Sequence, residues 1–113
     1  MKKIISISLI LLTLTALTSC DLDSARTVRF YASSTSGFVT GNYYWSGGMT
    51  MFNDRTSPWS IEVGTEKGDQ VILTVTNSLG TGTIVARIYV DDVFFRENIG
   101  VDMDVIQVAG YAE

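Results

Sequence analysis

Apolar and polar residues alternate with a period of two along most of this chain, and this pattern constrains its fold more than any other feature. In the segment Thr27–Ser33, the apolar residues Val28, Phe30 and Ala32 share one face of an extended strand. The segment Val71–Asn77 alternates in the same way, and no window has a sustained helical period. The pattern predicts an all-β domain over residues 26–113, a small antiparallel, immunoglobulin-like β-sandwich of about seven or eight strands.

Turn-forming residues divide the first half of this domain. The segment Ser34–Gly41 is rich in Ser, Thr and Gly and is predicted to be a loop. The pair Gly47-Gly48 predicts the turn of a hairpin, because glycine readily adopts positive φ. Pro58 precedes a predicted strand, Trp59–Val63, and a polar turn is expected at Gly64–Asp69.

A two-residue turn at Asp91-Asp92 sets the register of the most regular predicted hairpin. It pairs Val90 with Val93 and, in strict register, Arg87 with Arg96. Strand alternation then gives the hairpin one continuous apolar face, made of Ile84, Ala86, Ile88, Val90, Val93, Phe95 and Ile99.

Three charged residues conflict with that strict register. Glu97 falls on the apolar face, where an unpaired carboxylate is costly, so either it lies at the rim or the register slips before it. Arg87 and Arg96 oppose each other directly, which is destabilising unless an anion or a carboxylate lies nearby.

Two aromatic segments are candidate partner-binding sites. The outward face of the hairpin carries Arg87, Tyr89, Phe94 and Arg96. These arginines are either neutralised by carboxylates of a neighbouring strand or form a cationic patch that binds a partner.

The second aromatic segment contains Tyr43 and Trp45, which are either a ligand platform or residues of the core and its rim. Alternation places Tyr44 on the opposite face from both of them. Trp59, at the start of a predicted strand, is expected in the core because of its large apolar ring.

The first residues resemble the signal peptide and lipobox of a bacterial lipoprotein. Lys2-Lys3 precede an apolar run of 14 residues, Ile4–Leu17, and small residues then lead to Cys20, the single cysteine. The resemblance implies cleavage after Ser19 and a diacylglyceryl, palmitate-type lipid on Cys20. A retained transmembrane helix, which needs about 20 apolar residues, and a cleaved signal peptide without lipid are the alternatives.

The expected organisation is a signal peptide at residues 1–19, a short tether at 20–25 and the sandwich at 26–113. Five extended residues span at most about 17 Å, so we expect the domain close to a membrane, on the extracytoplasmic side of the cell envelope. Asp21 resembles an inner-membrane retention signal in some bacteria, while early acidic residues resemble a surface-export signal in others. The sequence leaves the choice of membrane open.

Composition excludes several classes of function. The chain has no histidine, so the commonest general base, the commonest zinc ligand and the usual nucleophile pairs are absent. Without Lys2 and Lys3, twelve acidic residues stand against six basic ones, which disfavours nucleic-acid binding. We expect no enzyme activity, no catalytic residue, no metal and no cofactor. Four aspartates are interpreted as solvated turn charges, with a weak calcium site as the alternative: Asp91, Asp92, Asp102 and Asp104.

Residues 26–113 also resemble the small MmpS-type accessory proteins that work beside large RND-class envelope transporters. The matching landmarks are Val28-Arg29-Phe30, Tyr44, Ser57-Pro58-Trp59-Ser60, Ala86-Arg87-Ile88-Tyr89-Val90-Asp91-Asp92-Val93 and Arg96-Glu97. The resemblance implies a non-catalytic accessory subunit with a multi-spanning envelope transporter as partner. The alternative function is a small extracytoplasmic binding module for a glycan, a small ligand or a soluble protein, including an inhibitor.

Overall fold

The computed structural model describes residues 24–113, and these residues form eight β-strands. The strands are β1 (Ala25–Ser34), β2 (Phe38–Trp45), β3 (Gly48–Thr56), β4 (Trp59–Glu66), β5 (Gln70–Asn77), β6 (Thr83–Val90), β7 (Val93–Val101) and β8 (Val105–Tyr111). The predicted all-β sandwich of seven or eight strands is confirmed. The predicted signal peptide and Cys20 lie outside the described residues.

The strands form two antiparallel sheets of four strands each. The first sheet has the order β4-β1-β6-β7, and the second has the order β3-β2-β5-β8. Hairpins join β2 to β3 and β6 to β7, and every other connection crosses between the sheets. The edge strands β3 and β4 therefore flank one side of the sandwich, and β7 and β8 flank the other.

The core lies between the sheets and follows the alternation of the sequence. The side chains predicted to face inward from β1 and β5 are at most 1% exposed: Val28, Phe30, Ala32, Val71, Leu73 and Val75. Burying an aliphatic or phenyl side chain contributes about 1.5–3 kcal/mol. A shift of one residue would turn each of these faces to solvent, so burial fixes the register of both central strands.

Two connections in the first half are shorter than predicted. β2 begins at Phe38, so the predicted Ser34–Gly41 loop is wrong beyond residues 35–37, because Val39 is buried in the core. β4 continues to Glu66, so the predicted Gly64–Asp69 turn is also too long. In both cases a strand extends through polar residues because alternate positions still face the core.

The β2–β3 hairpin turns one residue earlier than predicted. Trp45 pairs with Gly48, so the turn consists of Ser46 and Gly47. Gly48 has a φ of 118°, which an L side chain rarely adopts. This register brings Tyr44 opposite Met49.

Buried polar contacts join the strand ends far from the chain start. The Oγ of Ser34 donates a hydrogen bond to Oδ1 of Asn77. The Nδ2 of Asn77 donates to the carbonyls of Gly82 and Asp102 at 3.0 and 2.9 Å. β1 begins with Ala25 at the opposite end of the sandwich.

Candidate functional site

The register of the β6–β7 hairpin slips at a β-bulge. Tyr89 pairs with Phe94, as predicted. Ile88 then pairs with Arg96, so that Phe95 is an extra residue in β7. Beyond this point each β7 side chain faces the side opposite to the one predicted.

The slip places Glu97 opposite Arg87, so the predicted Arg87–Arg96 pair is wrong. The Nε of Arg87 donates to Oε2 of Glu97 at 2.5 Å. This hydrogen bond, together with a smaller contribution from Tyr89, raises the pKa of Arg87 above its ordinary value. Of the two alternatives for Glu97, the structure has the register slip, and the carboxylate of the adjacent strand neutralises Arg87.

The predicted apolar face of this hairpin is confirmed for β6 but not for most of β7. Ile84 and Ile88 are fully buried, and Phe95 is half-buried against the core. Val93 still pairs with the buried Val90 but is 68% exposed, and Ile99, at 55% exposed, has left the predicted face. The bulge turns Ile99 outward, and Val93 lies beside the turn at the end of an edge strand.

The outward face of the first sheet gathers a set of aromatic and cationic side chains that we call the arginine–tyrosine face: Arg29, Tyr31, Arg87, Tyr89 and Phe94. Arg29 of β1 pairs with Tyr89 of β6, and Tyr31 pairs with Arg87 two residues further along. Arginine and tyrosine therefore alternate along both strands, and each arginine lies opposite a tyrosine of the neighbouring strand.

Ring contacts hold the side chains of the arginine–tyrosine face in place. The guanidinium carbon of Arg29 lies 4.4 Å from the Tyr89 ring centroid, and that of Arg87 lies 5.5 Å from the Tyr31 ring centroid. The rings of Tyr89 and Phe94 meet edge to face, with centroids 6.1 Å apart. These distances are within the range of cation–π and aromatic pairs.

The sequence prediction included Tyr89 and Phe94 but missed Arg29 and Tyr31. Alternation of Thr27–Ser33 does place both missed residues on the outward side of the first strand. Their partners on β6 depend on which strands are neighbours, and strand order is set by tertiary packing rather than by local pattern.

Arg96, predicted on the same patch, lies away from it because of the bulge. Its guanidinium carbon is 5.0 Å from the Phe95 ring centroid. It lines an open groove of about 420 Å³ between the edge strands β7 and β8. Across this groove, the Nδ2 of Asn98 donates to the carbonyl of Gln107 at 3.2 Å.

Tyr43 and Trp45, the other predicted binding residues, belong to the core. Tyr43 is 6% exposed, and its ring centroid lies 5.3 Å from that of Phe30. Trp45 is half-buried and stacks on Tyr43 with centroids 5.3 Å apart. The ligand-platform alternative is therefore wrong for Tyr43, whose ring is enclosed between the sheets, while Tyr44 faces outward as predicted.

Three of the four aspartates near the last turns accept hydrogen bonds from backbone amides: Asp91, Asp102 and Asp104. Oδ1 of Asp91 accepts from the Thr27 amide at 2.9 Å, and Oδ1 of Asp102 accepts from the Gly82 amide at 3.2 Å. Within residues 24–113, no group of three acidic, His or Cys side chains is placed to hold a metal ion. The turn-charge interpretation accounts for these contacts.

No protein-family model matches the chain, and no curated protein matches it either. Over residues 24–113 there is no long apolar helix of the kind that crosses a membrane.

Proposed function

We propose that this chain is a bacterial lipoprotein and a non-catalytic accessory or interaction subunit of a cell-envelope complex. Its proposed partner is a multi-spanning envelope transporter, as for the MmpS-type proteins that the sequence resembles. The lipid on Cys20 holds the domain at a membrane, and the arginine–tyrosine face contacts the partner.

The observation that carries this proposal is the arginine–tyrosine face. Arginine and tyrosine are enriched among the residues that dominate binding energy at protein interfaces. Each arginine of this face already lies against a tyrosine ring. Because these side chains are held before binding, they lose little freedom when a partner docks. Phe94, which is 56% exposed, adds an apolar contact beside them.

The position of the chain start supports the same proposal. β1 begins at Ala25, at one end of the sandwich and close to the proposed lipid on Cys20. A tether at a strand end leaves the faces of both sheets directed sideways along the membrane. The arginine–tyrosine face then reaches the extracytoplasmic part of a protein in the same membrane.

Site-specific cross-linking in cells tests this proposal. A photo-reactive phenylalanine analogue replaces Phe94 in the full-length chain, and the cross-linked product is identified by mass spectrometry. The control carries the analogue at Leu79, an exposed residue in the turn between β5 and β6. We expect a cross-linked envelope membrane protein from position 94 only.

Removing the charges of the face sharpens this test. The double change Arg29→Gln and Arg87→Gln removes the guanidinium groups that lie against Tyr89 and Tyr31 and should lower the cross-linking yield from position 94. An equal yield from positions 79 and 94, or no product from position 94, would contradict the proposed docking face.

A second candidate function, a binding module for an extracytoplasmic ligand, is favoured by the groove between β7 and β8. The groove offers a guanidinium at Arg96, the ring of Phe95 and the side chain of Asn98. Binding of a soluble glycan, small ligand or protein that Arg96→Gln abolishes would support this candidate over the first.

A further inference from the structure

The outward face of the second sheet differs from the arginine–tyrosine face in carrying two neighbouring transverse rows without charge. The register of the four strands aligns Met49, Tyr44, Ile72 and Ala109 in one transverse row. Tyr43, Leu73 and Val108, which alternate with this row along their strands, are buried, so the side chains of the row point outward. Not one of the four is charged.

A second transverse row continues the same surface. It contains Met51, Asn42, Thr74 and Gln107, again in register across all four strands. Amides and a hydroxyl replace most of the apolar groups, and Nε2 of Gln107 donates to Oγ1 of Thr74 at 3.3 Å. We call these two rows together the neutral face.

The neutral face exposes large apolar side chains that the sandwich itself does not need. Met49 and Met51 are 64% and 72% exposed, and neither lies in a turn. Contiguous exposed apolar surface on a small domain marks an interaction site, and charge depletion is typical of the centre of an interface. Methionine side chains adapt readily to an opposing surface.

We propose that the neutral face binds a second copy of this chain and forms a homodimer. The chain is acidic, with twelve acidic residues against eight basic ones, so a contact that brings the carboxylates of two copies together is unfavourable. The neutral face brings no like charges together, which makes it complementary to itself. This inference does not depend on the proposed lipid or on the proposed envelope partner.

The two rows also fit each other in shape under one particular symmetry. A two-fold axis parallel to the strands places β3 of one copy against β8 of the other, at the usual sheet spacing of about 10 Å. Met49 then lies over the small Ala109 of the second copy, and Tyr44 lies over Ile72. This axis also puts Ala25 of both copies at the same end, as two copies tethered to one membrane require.

The polar row supports the same pairing. With this axis Asn42 of one copy faces Thr74 of the other, so an amide meets a hydroxyl. Sheets that pack face to face with aligned strands are common in β-proteins. The choice of an axis parallel to the strands depends on the proposed tether, whereas the choice of the neutral face as the dimer interface does not.

Native mass spectrometry of the full-length chain, purified in a mild non-ionic detergent, tests the proposal. Wild type is expected at twice the mass of one chain, and the double change Met49→Lys and Met51→Lys is expected at the mass of one chain. Met103→Lys is the matched control, because Met103 is 81% exposed and lies between β7 and β8, outside both rows. It should remain a dimer.

A second measurement does not depend on adding charge. A photo-reactive residue at position 74 should give a covalent dimer of the chain, while the same residue at position 60, on the outward side of β4, should not. A wild-type monomer over a dilution series, or a dimer that persists in the Met49→Lys, Met51→Lys variant, would overturn the proposal. Binding of a monomer to a neutral glycan or to vesicles through this face would overturn it as well.

The two proposals fail separately. A missing cross-link from position 94 removes the envelope partner and leaves the dimer intact. A monomer in the mass spectrum removes the dimer and leaves the arginine–tyrosine face available to its partner.

Discussion

At the scale of single residues, Trp59 packs between the edge strands β3 and β4 on one side of the sandwich. It lies at the start of β4, and its ring stacks on Phe52 of β3 with centroids 3.9 Å apart. Its ring centroid is also 5.7 Å from that of the buried Tyr43. The two edge strands, which share no backbone pairing, are thus joined through aromatic contacts.

Trp59→Ala should therefore cost much of the stability of the domain. Truncation of a packed tryptophan lowers the free energy of unfolding by about 3–5 kcal/mol, and the half-buried position favours a value of about 3 kcal/mol. Urea denaturation of the variant and of Leu79→Ala, an exposed control, measures this difference. A loss as small as in the control, about 0.5 kcal/mol or less, would show that the ring does not join the sheets.

Asp69 makes stability depend on pH. Its Oδ2 accepts from the Thr65 hydroxyl at 2.7 Å and from the Glu66 amide at 3.1 Å. These hydrogen bonds, the one from Thr65 most strongly, lower the pKa of Asp69 below its ordinary value. A lowered pKa in the folded state means that the carboxylate stabilises the fold above its ordinary pKa. This contribution is lost as the pH falls through the lowered value.

The change Asp69→Asn should therefore lower the free energy of unfolding at neutral pH and lower it less in acid. The difference in free energy of unfolding between wild type and variant is expected to be largest near neutrality and to narrow as the pH falls below the ordinary aspartate pKa. Denaturation at a series of pH values measures it, with Glu113→Gln, an exposed residue beyond β8, as a control for the loss of a surface charge. A difference that stays constant down to strong acid would contradict this account.

At the scale of elements, the bulge in β7 decides which side chains share a face. Without it, Arg87 would oppose Arg96 and Glu97 would point toward the core. With Phe95 as the extra residue, Glu97 pairs with Arg87 and Arg96 moves to the groove. The bulge therefore resolves both electrostatic conflicts of the strict register.

A double-mutant cycle tests this pairing. Arg87→Gln and Glu97→Gln, made singly and together, should give a coupling energy of about 0.2–1 kcal/mol, as is usual for exposed ion pairs. The same cycle with Arg96→Gln in place of Arg87→Gln should give none. Coupling of Glu97 to Arg96 instead of Arg87 would mean that β7 does not carry the bulge.

The β6–β7 turn is open to stabilisation. Asp91 and Asp92 have φ of 50° and 64°, the left-handed values of a type I′ turn. Asp92→Gly should raise the free energy of unfolding by roughly 0.5–1 kcal/mol, because glycine adopts this conformation without a steric penalty. Asp91→Ala should lower it, because the side-chain hydrogen bond to Thr27 is also lost. Thermal melting of both variants measures these changes in stability. A destabilised Asp92→Gly variant would contradict the turn assignment.

The strand pattern of this domain was predictable because burial on one face leaves a period-two signal. Val71, Leu73 and Val75 show it directly, and the structure buries all three. The candidate site was predictable only in part. The bulge at Phe95 keeps Glu97 out of the core. From the sequence, either this register slip or a rim position for Glu97 was possible. The pairing of Arg29 with Tyr89 depends on strand order, which no local pattern encodes.

At the scale of the whole molecule, the two sheets present outward faces of different chemistry. The first carries arginines, tyrosines and paired carboxylates, and the second carries two uncharged rows. β1 begins with Ala25 at one end of the sandwich, away from the centre of either outward face. We propose that one face serves a partner in the envelope and the other a second copy.

The central claim, a sandwich tethered to a membrane by a lipid on Cys20, is tested most directly at the amino terminus. The full-length chain is isolated from membranes, digested, and its first peptide is identified by mass spectrometry. The account predicts a peptide that begins at Cys20 and carries a diacylglyceryl group, and a Cys20→Ala variant that stays unprocessed or leaves the membrane. A membrane-bound chain that still begins at Met1, or that carries no lipid on Cys20, would contradict it.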